Sequence, residues 1–200
     1  MTLDTWLILL HQVLFQGMFL AKNILLRHRL QQPIRGYNLE ANLSIAFFVI
    51  FIGVALWLSL DPDSHRATGS TGGAAQAIAG LFMLASLGIA AASLNDLGDS
   101  WRVGVIEEQE TELIETGVYS FSRNPYFLAY LLMFAAYTTL LQSILLLALS
   151  VIGFGMVHTM ILREERYLVN KHAADYERYR NRVPRYMNLK LRKAKMSLSL

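Results

Sequence analysis

Two short polar clusters lie at the ends of the longest apolar stretch of this chain. The first, 116–125, contains Gly117 and the triplet Arg123-Asn124-Pro125. The second follows the apolar stretch and contains the adjacent carboxylates Glu164 and Glu165. A glycine lets the backbone approach a ligand closely, and a carboxylate binds an amine or the hydroxyls of a ribose. If the stretch between the clusters is a membrane hairpin, they meet at one bilayer face, and the sequence predicts a binding site there.

Each cluster also has a purely structural interpretation. An arginine at a helix end extends towards water, and neighbouring tyrosines are typical of the membrane interface. Asn124 can cap the next helix through its side chain, and Pro125 suits the first helical position. The two glutamates can simply form ion pairs with the arginines nearby, Arg123, Arg163 or Arg166.

The composition predicts an integral membrane protein. Of the 200 residues, 54% are hydrophobic and only 16% are charged, and the apolar residues form long uncharged runs. At 1.5 Å per residue, a helix needs about 20 residues to cross an apolar core about 30 Å thick. We therefore expect an all-α, polytopic fold with five membrane helices and then a cytoplasmic carboxyl-terminal helix. The expected membrane helices cover about 3–26, 41–60, 74–95, 126–140 and 143–162.

The last two of these helices are predicted to form a tight antiparallel hairpin, because their connection contains neither glycine nor proline. Gly153 and Gly155 on the fifth helix are expected to allow close helix packing. The chain is expected to divide into three membrane helices (1–95), a region around the site (96–187) and a basic tail (188–200).

Several classes of function are disfavoured. The chain has no cysteine, which excludes a disulfide or a thiol nucleophile, and its five histidines lack metal-ligand spacing, so we expect no metal. The net charge of +3 arises from basic residues close to helix ends, so the expected partner is the lipid bilayer and not nucleic acid. The oligomeric state stays open.

The basic residues also predict the orientation of the chain. Arginines follow the first and third expected helices, and eleven basic residues lie between Arg163 and Lys195. By the positive-inside rule, the amino terminus is outside, and the carboxyl terminus and both polar clusters are cytoplasmic. The loop at 61–73 is then external, and the acidic run from Glu107 to Glu115 is expected to be a solvated face.

The order of motifs resembles the isoprenylcysteine carboxyl methyltransferase family, which is related to the membrane phospholipid N-methyltransferases. The resemblance covers roughly residues 94–187 and rests on Leu113, Gly117, Tyr119, Arg123-Asn124-Pro125, a hairpin, Glu164-Glu165, Tyr176-x-x-Tyr179 and Pro184. It implies that S-adenosylmethionine binds in a cytoplasm-facing pocket. A lipophilic or lipidated acceptor would enter sideways from the bilayer.

Carried over by position, the resemblance implies three sets of site residues. Those lining the cofactor are Leu113, Gly117, Tyr119, Asn124, Pro125, Glu164 and Glu165. The catalytic pair is Arg123 and Asn124, and the substrate-binding arginines are Arg123, Arg182 and Arg185. The chain departs from the family where it has Asn124 in place of histidine, Phe127 in place of tyrosine and Ala173 in place of glycine.

The resemblance implies carboxylate O-methylation of an isoprenylcysteine-like acceptor, and Asn124 favours a carboxylate or a thiolate over an amine. A carboxylate is already a nucleophile at neutral pH, whereas an amine must lose a proton, which asparagine cannot accept. Phospholipid N-methylation and small-thiol S-methylation stay open as alternatives. So do an NADPH-dependent membrane reductase and a membrane subunit without catalytic activity.

Overall fold

The computed structural model describes residues 1–31, 39–61, 73–101 and 112–187, with residues 39–41 described by backbone alone. Most of the expected external loop lies outside these residues, as do Glu107, Glu108, Glu110 and the tail 188–200. Within the described ranges, all regular secondary structure is helical, which confirms the all-α prediction.

Five α-helices follow one another within the described residues. They are α1 (Leu3–Leu30), α2 (Leu39–Leu60), α3 (Gly73–Asp96), α4 (Pro125–Leu141) and α5 (Ile144–Arg182). Four of them are long and apolar enough to cross a membrane, and α4, at 17 residues, is shorter. Two short 3-10 turns, Gly98–Ser100 and Gly117–Ser120, lie between α3 and α4. The polytopic membrane fold is therefore confirmed.

The short helix α4 lies at the centre of the packing. One side of it packs along α3, where the Ser86 hydroxyl donates to the Ala129 carbonyl at 2.8 Å. From α1, Gln12 donates to the hydroxyl of the fully buried Tyr137 at 2.7 Å, and His11 Nδ1 lies 2.8 Å from the same oxygen. The Ala129 contact fixes the first half of α4 and the Tyr137 contacts fix its second half, so the helix and the polar cluster that precedes it have a defined position.

The hairpin of α4 and α5 is as tight as expected. Only Gln142 and Ser143 separate the helices, and Gln142 adopts the left-handed conformation with φ 49°. A Cβ atom on Gly153 would lie 2.7 Å from the Phe134 ring, so this glycine does allow close packing. The same expectation for Gly155 is wrong, because a Cβ atom added there would meet no neighbouring atom within 4 Å.

Two expectations about helix ends have different outcomes. Pro125 is indeed at the start of α4, where its missing N–H costs no hydrogen bond. Asn124 occupies the N-cap position, but its side chain makes no capping hydrogen bond. The capping prediction is therefore wrong, and the physical reason is that the Asn124 amide donates to Glu165 on α5 and to a carbonyl after α5 instead.

The expected carboxyl-terminal helix is the continuation of α5. The helix runs on to Arg182 but contains a kink at Ala173, with φ 41° and ψ −113°. Residues with a Cβ atom rarely adopt this conformation, and each such residue costs about 1–3 kcal/mol. Glycine is the residue that the resemblance led us to expect here.

Substitution Ala173→Gly is expected to raise the free energy of unfolding by about 1 kcal/mol, because relief of strain exceeds the entropy that glycine loses. Thermal unfolding in detergent measures the change. Ala174→Gly, at the next, helical and exposed position, is the matched control and should lower stability by about 0.5–1 kcal/mol. Equal losses from both substitutions would contradict the strain at Ala173.

Candidate functional site

The structure brings the two polar clusters together through an ion pair. Arg123, two residues before α4, places Nη2 2.8 Å from Oε1 of Glu165 on α5, and its Nε donates to the same oxygen at 3.2 Å. Both side chains are buried, at 7% and 8% exposure. The ends of the hairpin thus converge, and of the two adjacent glutamates it is Glu165 that meets the arginine.

A second arginine binds the other oxygen of Glu165. Arg185 Nη2 lies 2.8 Å from Oε2, and Arg185 Nε lies 3.1 Å from both carboxylate oxygens. This carboxylate raises the pKa of the Arg185 guanidinium, chiefly through the hydrogen bonds. Two positive charges therefore enclose one negative charge, and Glu165 has a structural partner at each oxygen.

The segment Val183–Met187 straps the end of α5 back onto the hairpin. The Arg123 backbone N–H donates to the Pro184 carbonyl at 2.9 Å, and Arg123 Nη1 donates to the carbonyls of Val183 at 2.9 Å and Arg180 at 3.0 Å. Farther along, the Tyr186 hydroxyl lies 2.7 Å from His158 Nδ1. Most of the Arg123 donors are therefore occupied by contacts within the chain.

Asn124 takes part in the same connection. Its Nδ2 donates to Glu165 Oε1 at 3.3 Å and to the Arg185 carbonyl at 3.1 Å, and the residue is buried. A side-chain amide donates and accepts hydrogen bonds but does not exchange a proton near neutral pH. Asn124 is thus suited to orient Glu165, and its predicted catalytic role stays a prediction.

The glycine turn before α4 has a structural cause. Gly117 has φ 60°, and a Cβ atom there would lie 2.0 Å from Oδ2 of Asp96 at the end of α3. The same oxygen accepts a hydrogen bond from the Val118 backbone N–H at 2.8 Å. The space that the sequence analysis assigned to a ligand beside Gly117 is therefore occupied by the Asp96 carboxylate.

Tyr119 joins this turn to α5. Its carbonyl accepts a 2.7 Å hydrogen bond from the Tyr179 hydroxyl. The Tyr119 side chain is buried beside Ser93 and within electrostatic range of Glu164. Burial, and secondly the negative charge of Glu164, raise the pKa of the Tyr119 phenol, so it is a neutral hydrogen-bonding group at physiological pH.

Glu164 differs sharply from its neighbour. It is half-buried, and across the described ranges its carboxylate has no hydrogen bond or ion pair. Two buried polar atoms on the same helix also have no partner in the described part of the chain, the Tyr176 hydroxyl and His172 Nε2. Buried polar groups in proteins are almost always satisfied. Unsatisfied groups beside an unpaired carboxylate fit a polar ligand such as the predicted cofactor.

An apolar wall completes this part of the site. Tyr176, Tyr179 and Val183 form a buried cluster, and Leu113 and Leu168 pack against it. Leu113, predicted from the resemblance to line the cofactor, thus contacts the same tyrosines that follow the kink in α5.

A cleft opens beside Glu165. It has a volume of about 420 Å³ and is lined by Leu162, Glu165, Arg166, Val169, Arg180 and Arg185. Arg182, predicted to bind substrate, is instead an exposed residue that pairs with Glu115. Of the predicted substrate-binding arginines, Arg185 is the one in the cleft.

Sequence reasoning left three side chains out of the site. Tyr176 and Tyr179 carried the resemblance as a spaced pair, but no role followed from the spacing. Asp96 ends a membrane helix and contacts the turn 22 residues later. The spacing of Tyr176 and Tyr179 was a signal that could have placed them in the site. Nothing in the sequence connects Asp96 to Val118.

Comparisons with known proteins identify a relative and a family for this chain. A curated relative, the nickel-cobalt-cadmium resistance protein NccN of Alcaligenes xylosoxydans xylosoxydans, is 24% identical over 104 residues. The match covers 52% of this chain and about half (49%) of that relative. The family profile described as phospholipid methyltransferase matches residues 74–175, from the start of α3 to beyond the kink in α5. This match covers just more than half of the chain, and the chain belongs to the phospholipid methyltransferase family.

Proposed function

We propose that this protein is an S-adenosylmethionine-dependent methyltransferase that acts on a lipophilic acceptor at the cytoplasmic face of a membrane. One observation carries the proposal. Of two adjacent carboxylates, Glu165 is enclosed by Arg123 and Arg185, while Glu164 has no partner within the described ranges and lies within electrostatic range of the unsatisfied Tyr176 hydroxyl. A carboxylate with this environment is suited to bind a cationic or hydroxyl-bearing ligand.

The residues of the chain then act mainly by binding and positioning. S-adenosylmethionine supplies a methyl group that is already activated for transfer. Glu164 and Tyr119 provide polar contacts, and Leu113 contributes the apolar wall that limits access of water. The ion pairs of Glu165 hold α4 and α5 at a fixed separation, which favours alignment of acceptor and donor.

For the acceptor, an isoprenylcysteine-like carboxylate is the first candidate. The basic cleft supports it, because Arg185 and Arg166 bring positive charge beside the apolar Leu162 and Val169. A carboxylate needs no general base, and the amide of Asn124 provides none. A phospholipid amine is the second candidate, and the description of the family favours it.

We also propose that the amino terminus is outside and that the site is cytoplasmic. The basic residues after the apolar part of α5 support this orientation. Since the chain contains no cysteine, single cysteines at exposed Arg178 and Ile144 can report it. An impermeant maleimide should label Ile144→Cys in intact cells and Arg178→Cys only after permeabilisation. The reverse pattern would refute the orientation.

Calorimetry on the purified protein in nanodiscs tests the methyl donor. S-adenosylhomocysteine should bind with a 1:1 stoichiometry, and NADPH should not bind. Incubation with methyl-tritiated S-adenosylmethionine should then transfer label to the acceptor, with prenylcysteine and phosphatidylethanolamine supplied in separate reactions. Absence of S-adenosylhomocysteine binding would refute the proposal, and NADPH binding would favour the reductase.

A further inference from the structure

Polar atoms without partners mark one side of α5 near its kink. Tyr176 is 1% exposed, yet its hydroxyl has no hydrogen-bond partner within the described ranges. His172 Nε2 is also buried and unsatisfied there. Leaving such a group unpaired costs about 1–3 kcal/mol, so two of them, four residues apart in the sequence, favour a ligand that satisfies them.

The helix geometry places His172 on the same face of α5 as Glu164, about two turns farther along. Glu164, Leu168 and His172 are spaced four residues apart, and so lie on one face of α5 before Ala173. Leu168, on the same face, packs against the buried cluster of Tyr176, Tyr179 and Val183 that follows the kink. The Tyr176 hydroxyl lies within electrostatic range of both Glu164 and Glu165.

The charges around these atoms form two groups of opposite sign. Glu164 contributes a negative charge without a partner in the described part of the chain. Arg123 and Arg185 share the single negative charge of Glu165, so these three side chains together carry one net positive charge, and Arg123 lies within electrostatic range of Tyr176. A ligand that carries an ammonium and a carboxylate on one carbon matches this division, whereas an uncharged ribose does not.

Building on the proposed function, we propose that Tyr176 and His172 bind the amino-acid end of the methyl donor. Glu164 accepts hydrogen bonds from the ammonium, and the Tyr176 hydroxyl donates to the carboxylate. His172 Nε2 supplies a further hydrogen bond. The thioether and adenosine parts of the ligand then extend away from the kink of α5.

Two ligands that differ only at this end provide the test. S-adenosylhomocysteine has the amino-acid group, and 5′-methylthioadenosine keeps the adenosine and sulfur but lacks it. For Tyr176→Phe, calorimetry should give an affinity for S-adenosylhomocysteine about tenfold weaker and an affinity for 5′-methylthioadenosine changed by less than about twofold. His172→Phe, which keeps a planar ring, should show the same selective loss.

Tyr179→Phe is the matched control, because the Tyr179 hydroxyl already donates to the Tyr119 carbonyl. It should lower the melting temperature without discriminating between the two ligands. Equal losses of both ligands in Tyr176→Phe and His172→Phe, or no loss of either, would overturn the assignment while the proposed function stands. If the unmodified protein binds neither ligand, the proposed function and this assignment both fail.

Discussion

Glu165→Gln is expected to lower the free energy of unfolding by about 3–5 kcal/mol, because removal of one partner leaves buried charge uncompensated. Glu165 neutralises two guanidinium groups, with Nη2–oxygen distances of 2.8 Å to Arg123 and 2.8 Å to Arg185. The amide cannot balance either charge. Because the pair joins the start of α4 to α5, the loss should appear as a large fall in the thermal midpoint in detergent.

An exposed ion pair on the same helix provides the control. Arg180 and Glu177 are 2.9 Å apart, with side-chain exposures of 46% and 41%. Exposed pairs contribute about 0–1 kcal/mol, so Glu177→Gln should leave the thermal midpoint nearly unchanged. If Glu165→Gln unfolds at the same temperature as Glu177→Gln, the buried triad does not stabilise the hairpin, and the structural role assigned to Glu165 is wrong.

Glu164→Gln is expected to affect ligand affinity and not stability, the opposite of Glu165→Gln. It removes a charge that has no partner in the described structure, so stability should be unchanged or slightly higher. Under the proposed function it also removes a charge-assisted hydrogen bond to the ligand, which is worth about 1.5–3 kcal/mol. The affinity for S-adenosylhomocysteine, measured by calorimetry, should therefore fall by about 10- to 150-fold.

The comparison of these adjacent substitutions is the decisive part of the experiment. Both change one carboxylate to an amide of almost equal size, one residue apart on α5. If Glu164→Gln binds S-adenosylhomocysteine as tightly as the unmodified protein, then Glu164 is not the binding carboxylate. A loss of stability from Glu164→Gln as large as that from Glu165→Gln would show that the two carboxylates share one structural role.

The membrane helices could be predicted because their cause is local. Long uncharged runs of about 20 residues favour helices in an apolar medium, where every backbone polar group must be satisfied within its own segment. The two-residue connection around Gln142 then requires α4 and α5 to be antiparallel. From this hairpin alone, it followed that Arg123 and the glutamate pair lie at the same bilayer face.

The roles of individual polar residues could not be predicted in the same way. Asparagine is a residue type that often caps helices, yet the Asn124 amide donates to Glu165 and to the Arg185 carbonyl, which are 41 and 61 residues away. A glycine turn such as that at Gly117 often contacts a ligand, yet the Asp96 carboxylate occupies the open side of this glycine. In both cases a distant group competed with the local one, and local sequence carries no information about that competition.

The sequence alone therefore specified that the chain lies in a membrane, where its helices are, and that the two polar clusters converge. Hydrophobicity and helix length could specify this because they act within a segment. Which of two neighbouring glutamates is enclosed by arginines depends on an angular difference of about 100° around α5. That difference decides which glutamate faces the arginines only when α4 and the strap Val183–Met187 are packed against the helix. Charge pairing at this site is thus a property of the folded arrangement and not of the motif.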